Sequence, residues 1–242
     1  KSYQEYMEAI NTDDRETEEK FLKNMLTPEM QEKRARLACA TDSDPMIRAQ
    51  DVTEYSIQSV RCKHLSGCWY EVSYRPYPKD STTYIPLRIT ADSLGKVRIS
   101  YVTPDWGNRN YGDYWFDIPE EKVMDDQDGK TFVETFYKSY AYTYIKMRPD
   151  LEQGLKHLRE TYCTPIMQEK YVRSRKEVEQ EDPMFDPVIG NDDFDVFWYN
   201  SLQVHPSETK GCFTVSYGCT KIRVALQCQD GKYKIADVEL IP

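Results

Sequence analysis

The sequence contains an internal repeat, and this repeat limits the possible folds more than any other feature. Thr27–Lys33 (TPEMQEK) recurs as Thr164–Lys170 (TPIMQEK), and Lys1–Tyr3 recurs as Lys138–Tyr140, in both cases 137 residues further along the chain. One spacing shared by two separate matches predicts that a single structural unit, roughly 110–130 residues long, is used twice. We therefore expect two copies of one fold rather than one large domain.

The predicted segments are a first repeat, an aromatic-rich connector and a second repeat, at 1–102, 103–130 and 131–242. In the second copy Phe132, Phe136 and Tyr140 lie on one helical face, because they are four residues apart. The first copy has no counterpart of the two phenylalanines, since the sequence begins at Lys1. We expect that the first helix is truncated, and that any targeting segment lies further upstream.

Each copy is predicted to begin with three helices. Hydrophobic spacing indicates the first two helices of each copy at 1–10, 15–25, 131–147 and 151–162. The third helix starts at Thr27 in one copy and at Thr164 in the other. Threonine is a favourable N-cap, and the proline that follows fits the first helical position, because its missing N–H is not needed there.

Strands are predicted to follow the helices. Ile85, Leu87 and Ile89 alternate with polar residues, as expected for a half-buried strand. A hairpin at 54–62 and 68–77 completes about four strands per copy. The fold class is therefore α+β, with two tandem domains in which about three helices pack on one face of a curved antiparallel sheet.

Two further matches between the copies refine this prediction. Asp44-Pro45 is matched with Asp182-Pro183, and Val72–Tyr74 is matched with Val215–Tyr217. One residue is lost ahead of the second match, and an extra residue inside a strand is typical of a β-bulge. We expect a bulge in the first copy that is absent from the second.

Several segments together resemble the nuclear-transport-factor-two-like superfamily: Leu26-Thr27-Pro28, Asp44-Pro45, Gln50-Asp51 and the closing strand at 230–238. Within it, the chain resembles a family of uncharacterised bacterial proteins that is common in gut Bacteroidetes and often exported. The resemblance implies two cystatin-like α+β cones, each with a pocket between its helices and the concave face of its sheet. It also implies a location outside the cytoplasm, in the periplasm or at the outer surface, although a cytoplasmic location stays open.

The resemblance raises an enzymatic alternative. In superfamily members that resemble ketosteroid isomerase, an aspartate base works beside a tyrosine and a protonated acid. Asp51 and Asp193 are the candidate bases on this reading. Both residues are also ordinary choices for turns and helix caps, and no spacing ties either one to a catalytic tyrosine.

Composition argues against several functional classes. The formal net charge is −9 with a pI near 5.0, and basic residues alternate with acids, so no nucleic-acid-binding face is expected. No apolar run approaches the roughly 20 residues of a membrane span. The sequence lacks recognisable catalytic and cofactor-binding motifs, and its three scattered histidines and seven cysteines form no C-x-x-C pair. We expect no metal and no cofactor.

Two cysteines flank a predicted hairpin turn at 63–67. Cys62 and Cys68 would face each other across this turn, so a disulfide is a reasonable candidate in an oxidising compartment. The alternative is that the thiols are small buried hydrophobes, as free cysteines usually are.

The aromatic residues between the copies are the main candidate ligand-binding residues. The connector carries Trp106, Tyr111, Tyr114, Trp115 and Phe116 among Gly, Asn and Asp. These side chains either dock the two domains together or form a platform for a carbohydrate or a protein partner. The remaining candidates are Asp51, Trp69 and Trp198, of which the two tryptophans would either contact a ligand in a pocket or plug it.

Because nothing in the sequence requires chemistry, we predict a non-catalytic binding or interaction module of the bacterial cell envelope. Its ligand would be a protein, a small molecule or a carbohydrate. The alternatives are an isomerase- or dehydratase-like enzyme with an Asp/Tyr pocket in one cone, and an acidic inhibitor or immunity-type protein that covers a basic partner.

Overall fold

The computed structural model describes residues 1–124 and 127–241. Asp125 and Asp126, within the predicted connector, and Pro242, within the predicted second repeat, lie outside the described residues. The chain divides into two compact units, Lys1–Asp113 and Tyr114–Pro242. This division falls inside the segment predicted as a connector.

The first unit places its helices before its strands. Its helices are α1 (Ser2–Asn11), α2 (Arg15–Met25), α3 (Pro28–Thr41) and α4 (Glu54–Ser59). Its strands are β1 (Arg61–Ser66), β2 (Trp69–Tyr74), β3 (Thr83–Ala91) and β4 (Val97–Val102), and they form an antiparallel sheet in sequence order. Helices α2 and α3 contact β4, and α4 contacts β2. A short 3₁₀ helix follows at Asp105–Gly107, and a second one, Asp113–Phe116, begins at the last residue of this unit.

The second unit repeats this order. Its helices are α5 (Gly129–Ile145), α6 (Leu151–Tyr162), α7 (Pro165–Val178) and α8 (Val196–Ser201). Its strands are β5 (Gln203–Pro206), β6 (Cys212–Tyr217), β7 (Thr220–Gln229) and β8 (Lys232–Leu240), again antiparallel and in sequence order. The described residues thus form an α+β protein with two four-stranded antiparallel sheets, as predicted. No helix among them has the length and apolar character needed to cross a bilayer.

The start of the third helix in each unit is as predicted. Thr27 Oγ1 accepts a hydrogen bond from the Met30 N–H at 3.2 Å, and Thr164 Oγ1 accepts one from the Met167 N–H at the same distance. The backbone N–H groups of the two threonines donate to the last strand of their own sheet, at Ile99 and Ile235. This contact fixes the helices against the sheet in both units.

The predicted strand at 54–62 is wrong, because Glu54–Ser59 forms helix α4. Thr53 Oγ1 accepts from the Ser56 N–H at 3.1 Å, while Ser56 Oγ accepts from the Thr53 N–H at 3.2 Å. This reciprocal capping satisfies two N–H groups that a helix start would otherwise leave unpaired. A six-residue helix is too short for hydrophobic periodicity to reveal, and β1 begins only at Arg61.

The 137-residue spacing does not hold in the first helix of each unit. Tyr3 and Tyr137 donate to the backbone oxygens of Met46 and Val188, and these two tyrosines are 134 residues apart. The residues that end the two helices in a left-handed conformation, Asp13 and Met147, have the same spacing. Because a helical turn has 3.6 residues, a shift of three residues keeps nearly the same face of the helix buried. The recurrence of Lys-Ser-Tyr therefore predicted an alignment of the two helices that is wrong by three residues.

The predicted bulge lies in a different strand. The register of the first hairpin shifts between His64 and Ser66 on β1, whereas β2 pairs with β3 without interruption. The corresponding pairing of β5 with β6 has no shift. The extra residue of the first copy therefore belongs to β1, and the turn that follows is the two-residue Gly67-Cys68.

Candidate functional site

The aromatic residues of the predicted connector are divided between the two units. Trp106 and Tyr111 belong to the first unit, and Tyr114 and Trp115 belong to the second. Trp106 is half-buried in the 3₁₀ helix Asp105–Gly107. Within either unit, the connector therefore contributes only part of the predicted aromatic set.

Trp69 is packed beneath the segment that follows β4. Its indole Nε1 donates to Oδ1 of Asp113 at 3.1 Å, and its ring centroid lies 5.8 Å from that of Tyr111. Arg88 Nε donates to the same carboxylate oxygen at 2.7 Å, and this hydrogen bond lowers the pKa of Asp113. Trp69 is 2% exposed. The structure brings Trp69 and Tyr111 together, but Trp69 has no face available for stacking on a ligand.

In the second unit most of the predicted aromatic residues also serve the core. Trp115 is buried with its ring edge against Phe197, at 4.6 Å between centroids. Trp198 is half-buried and its centroid lies 5.5 Å from that of Tyr217. Tyr114, by contrast, is 67% exposed. Tyr114 is therefore the member of the predicted set that is most accessible to a partner.

The two candidate bases lie in loops that precede short helices. Asp51 is exposed between α3 and α4, two residues before the capping residue Thr53. Asp193 is completely buried, two residues before Asp195, the N-cap residue of α8. Neither residue is the N-cap of the helix that follows it.

The predicted disulfide between Cys62 and Cys68 is not formed. Both side chains are exposed free thiols. Val72, not Cys68, is the cross-strand partner of Cys62, so the two cysteines are separated by the length of four strand residues, about 13 Å at 3.3 Å per residue. A disulfide requires Cα atoms closer than about 7 Å. The prediction failed because the turn is shorter than assumed, with Cys68 inside it.

A tyrosine–aspartate–arginine cluster lies in the interior of the first unit. Tyr6 donates through its hydroxyl to the carboxylate of Asp44. Arg34 Nη2 donates to Asp44 Oδ2 at 2.9 Å and also reaches Glu18 Oε1 at 3.3 Å. Burial, followed by the charge of Asp44, raises the pKa of Tyr6, so its hydroxyl stays protonated. The cluster therefore holds a negative carboxylate with donors from α1 and α3.

The second unit has the same cluster, more deeply buried. Asp186 Oδ2 accepts from the hydroxyls of Tyr140 and Tyr144 at 2.8 and 2.9 Å. Arg159 Nη1 donates to the Tyr140 hydroxyl at 2.5 Å, and its guanidinium lies 4.0 Å from the centroid of Tyr171. Burial, followed by the negative charge of Asp186, raises the pKa of Tyr140 well above its ordinary value. These hydrogen bonds join the aspartate to its neighbours inside the protein.

The sequence contains a motif that marks this cluster in both units, but the predicted match of Asp44 is wrong. Asp44 was matched with Asp182, but its structural counterpart is Asp186. Each of Asp44 and Asp186 donates its N–H to the oxygen of the residue five positions later and accepts from the N–H two positions later. The better match is Asp-Pro-x-Ile, found at 44–47 and again at 186–189. Two neighbouring Asp-Pro pairs in the second copy made the choice ambiguous.

An apolar cleft opens in the first unit, between its first two helices and the inner face of its sheet. Its volume is about 280 Å³. Residues of α1 and α2, of the four strands and at both ends of these elements line it: Lys1, Tyr3, Gln4, Phe21, Met25, Val60, Cys62, Tyr70, Val72, Leu87, Ile89 and Ile99. Partial burial raises the pKa of the Cys62 thiol. We refer to this space as the first cleft.

The corresponding space in the second unit is occupied by the protein itself. The first two turns of α5 cross it, and Gly129 packs so closely that an added Cβ would lie 3.2 Å from the Phe213 ring and 3.3 Å from Leu226. Phe132 is buried, with its centroid 6.2 Å from that of Tyr162 and 5.9 Å from that of Tyr233. In the first unit the corresponding position borders Lys1, the first residue of the sequence.

Comparison with known proteins adds one similarity. The chain is similar to a protein of unknown function from Bacteroides thetaiotaomicron VPI-5482, known from a crystal structure, with 32% sequence identity. The similarity covers 43% of this chain and 81% of that chain, with a TM-score of 0.38. No protein-family model and no curated protein matches the chain. The comparisons therefore bring no activity with them.

Proposed function

We propose that the protein is a non-catalytic binding module, and that the first cleft holds an apolar group of its ligand. The observation that carries this proposal is the apolar lining of the first cleft, to which Phe21, Leu87 and Ile99 contribute. A ligand that removes the apolar surface of a cleft from water lowers the free energy, so such a surface favours binding.

The aspartates of the two interior clusters favour binding over isomerase chemistry. A general base must lie within hydrogen-bond reach of the proton that it removes from a substrate. Asp186 has tyrosines beside it, as such an enzyme would need, but it is 2% exposed and its Oδ2 already accepts from two hydroxyls. Asp44 is held in the same way by Tyr6 and Arg34. Both carboxylates therefore act as interior supports of the fold.

We further propose that each unit is a nuclear-transport-factor-two-like cone and that the protein works in the cell envelope. The order of three helices, a short helix and four antiparallel strands supports the first proposal. The location rests on the resemblance in sequence alone. The third candidate, an acidic inhibitor, rests only on the net charge of −9, which by itself selects no partner.

Methyl NMR on the full chain tests the binding proposal. Met25 lines the first cleft, whereas Met124 is exposed and does not line it. With ¹³C-methyl methionine, small apolar probes such as indole and naphthalene should shift the Met25 signal in a saturable manner and leave Met124 unchanged. Ile89→Glu, which puts a charge into the cleft lining, should abolish the shift. Leu94→Glu, at a turn residue that is 91% exposed, is the matched control and should retain it.

An absence of any saturable Met25 shift with these probes would contradict the proposal. Equal shifts at Met25 and Met124 would also contradict it, because they would indicate nonspecific adsorption to exposed methionines.

A further inference from the structure

We infer that a second pocket of the first unit binds the phosphate or sulfate group of a small monoester, through Arg61 and Arg75. The pocket lies between α4 and the adjoining ends of β1, β2 and β3, and its volume is about 330 Å³. We refer to it as the outer pocket. It goes beyond the binding proposed for the first cleft, because the two sites share no surface of the sheet.

The strand registers place the outer pocket on the face of the sheet opposite to the first cleft. Arg61 of β1 pairs with Ser73 of β2, and Ser73 pairs with Tyr84 of β3, so the three residues form a row across the sheet. Neighbouring residues of a strand point to opposite faces. Cys62 and Val72, which follow Arg61 and precede Ser73, border the first cleft. The row that contains Arg61 therefore faces away from that cleft.

The two arginines of the outer pocket are held by the protein but are not neutralised by it. Arg61 Nη1 donates to the backbone oxygen of Val60 at 2.8 Å, and Arg75 Nε donates to Thr82 Oγ1 at 3.1 Å. No ion pair within the described residues involves either arginine, so each guanidinium keeps N–H donors for a ligand. Arg75 lies two residues after the strand partner of Arg61, and such diagonal neighbours are about 7–8 Å apart. One anion can therefore contact both side chains.

The lining of the outer pocket indicates the class of ligand. Every lining residue that the structure describes is an arginine, a serine, a threonine or a tyrosine, although the formal net charge of the chain is −9. Cations and hydroxyls without a facing carboxylate favour an anion. A phosphate or sulfate monoester has three terminal oxygens, enough for two guanidinium groups and the Ser73 hydroxyl, whereas a carboxylate has two. Tyr55, which is 36% exposed, offers its ring to the organic part of the ester.

The second unit keeps the frame of the outer pocket but not its charge. The N–H of Arg75 donates to Ser59 Oγ at 2.9 Å. In the second unit the N–H of Gly218 donates to Ser201 Oγ at 3.2 Å, so Gly218 takes the place of Arg75. A Cβ added to Gly218 would lie 2.8 Å from the indole Nε1 of Trp198. An indole thus borders the position that a charged side chain has in the first unit, and we expect one anion site per chain.

Calorimetric titration of the full chain tests this site. Phenyl phosphate or phenyl sulfate should bind with a dissociation constant below about 1 mM at low salt, and the tighter of the two identifies the ester. Arg61→Gln and Arg75→Gln should each weaken binding at least about tenfold, because each removes charge-assisted hydrogen bonds. Ser73→Glu should abolish binding, since the new carboxylate would pair with both guanidinium groups. Arg15→Gln is the matched control for net charge, at a side chain of the same unit that is 77% exposed, and should leave binding unchanged.

Urea denaturation checks that each variant stays folded. No saturable binding of either ester up to about 10 mM would overturn the inference. Equal weakening by Arg15→Gln would also overturn it, as would equal binding of phenol, which lacks the anionic group. Tighter binding of benzoate than of both esters would overturn the assignment to a monoester. If Ile89→Glu abolished binding and Arg75→Gln did not, the ester would occupy the first cleft, which would overturn the outer pocket and support the proposed function.

Discussion

The two units hold an equivalent aspartate, buried in the second unit and half-buried in the first, with arginines from different helices. In the first unit the cation is Arg34 on α3, and in the second it is Arg159 on α6, with Tyr171 on α7 stacked against its guanidinium. The aspartate and its tyrosine donor keep their positions in both. This exchange teaches that the fold needs a positive charge near the aspartate, because an uncompensated buried carboxylate is costly, but does not need it from one fixed position.

The clefts share a frame in the two units. Tyr70 and Ile89 line the first cleft, and the equivalent residues of the second unit, Phe213 and Leu226, lie against Gly129 at the start of α5. The interior clusters are best understood as support for the fold, because their hydrogen bonds are made within each unit.

The strongest test of this comparison removes the Phe132 ring from the second unit. Phe132→Ala should open a cleft between Tyr162 and Tyr233 and lower the free energy of unfolding by about 3–4 kcal/mol, the usual cost of truncating a buried phenylalanine. Urea denaturation measures the loss, and hydrogen exchange should place it in α5 and β8 rather than in β2. Indole should then bind the second unit as well.

The control is Ile166→Ala, at a residue of α7 that is 74% exposed, and its effect should stay within about 0.5 kcal/mol. A loss of less than 1 kcal/mol for Phe132→Ala would show that the buried Phe132 ring contributes little to the stability of the second unit.

The sequence predicted correctly those features of the structure that depend on residues close together in the chain. Thr27-Pro28 and Thr164-Pro165 predicted helix starts correctly, because the capping hydrogen bond involves residues three apart. The register of the first helix was not predictable, since a slip of one turn preserves its buried face. Short helix α4 escaped because its reciprocal cap, between Thr53 and Ser56, is not a hydrophobic pattern.

The candidate site was harder to predict than the fold. Individual aromatic residues were identified, but burial decides whether a ring supports the core or meets a ligand, and burial depends on long-range packing. Trp69 is enclosed by Asp113 and Tyr111, 44 and 42 positions along the chain. The first cleft combines residues of two helices and four strands, and no sequence pattern linked them.

The next test concerns the two arginines. Arg159→Met should destabilise the second unit by about 3 kcal/mol, because it leaves the buried charge of Asp186 without its cation. Arg34→Met should cost only about 1 kcal/mol, since the Arg34 side chain is 20% exposed and water can partly compensate Asp44. Denaturation of the two variants in parallel measures the difference, and pairing Arg159→Met with Asp186→Asn should recover part of the loss. Equal losses would mean that the two clusters are energetically alike.

The smallest expected effect concerns the loops that follow α3 and α7. In the first unit Gln50 Nε2 donates to Asp42 Oδ2 at 3.0 Å at an exposed position. The second unit has Asp192 at the equivalent place, hydrogen-bonded to Asp182. Burial, together with the hydrogen bond and charge of Asp182, raises the pKa of Asp192 to about 7. Asp192 takes the place of the amide of Gln50, and a carboxyl group can donate a hydrogen bond only while it is protonated.

The sign of the pH dependence follows from the raised pKa. The folded protein holds this proton more tightly than the unfolded chain, so the stabilisation is complete below about pH 4 and is lost as the pH rises through 7. Asp192→Asn keeps a neutral donor at all pH values and should therefore exceed the parent protein in stability by about 2 kcal/mol at pH 8.5, with a smaller difference at pH 5. Urea denaturation at the two pH values measures this change.

Gln50→Asp is the matched control in the first unit, and because Gln50 is exposed, the stability of this variant should depend only slightly on pH. If Asp192→Asn gave the same stability change at both pH values, the proton would not be shared between Asp192 and Asp182, and the two loops would differ only in packing.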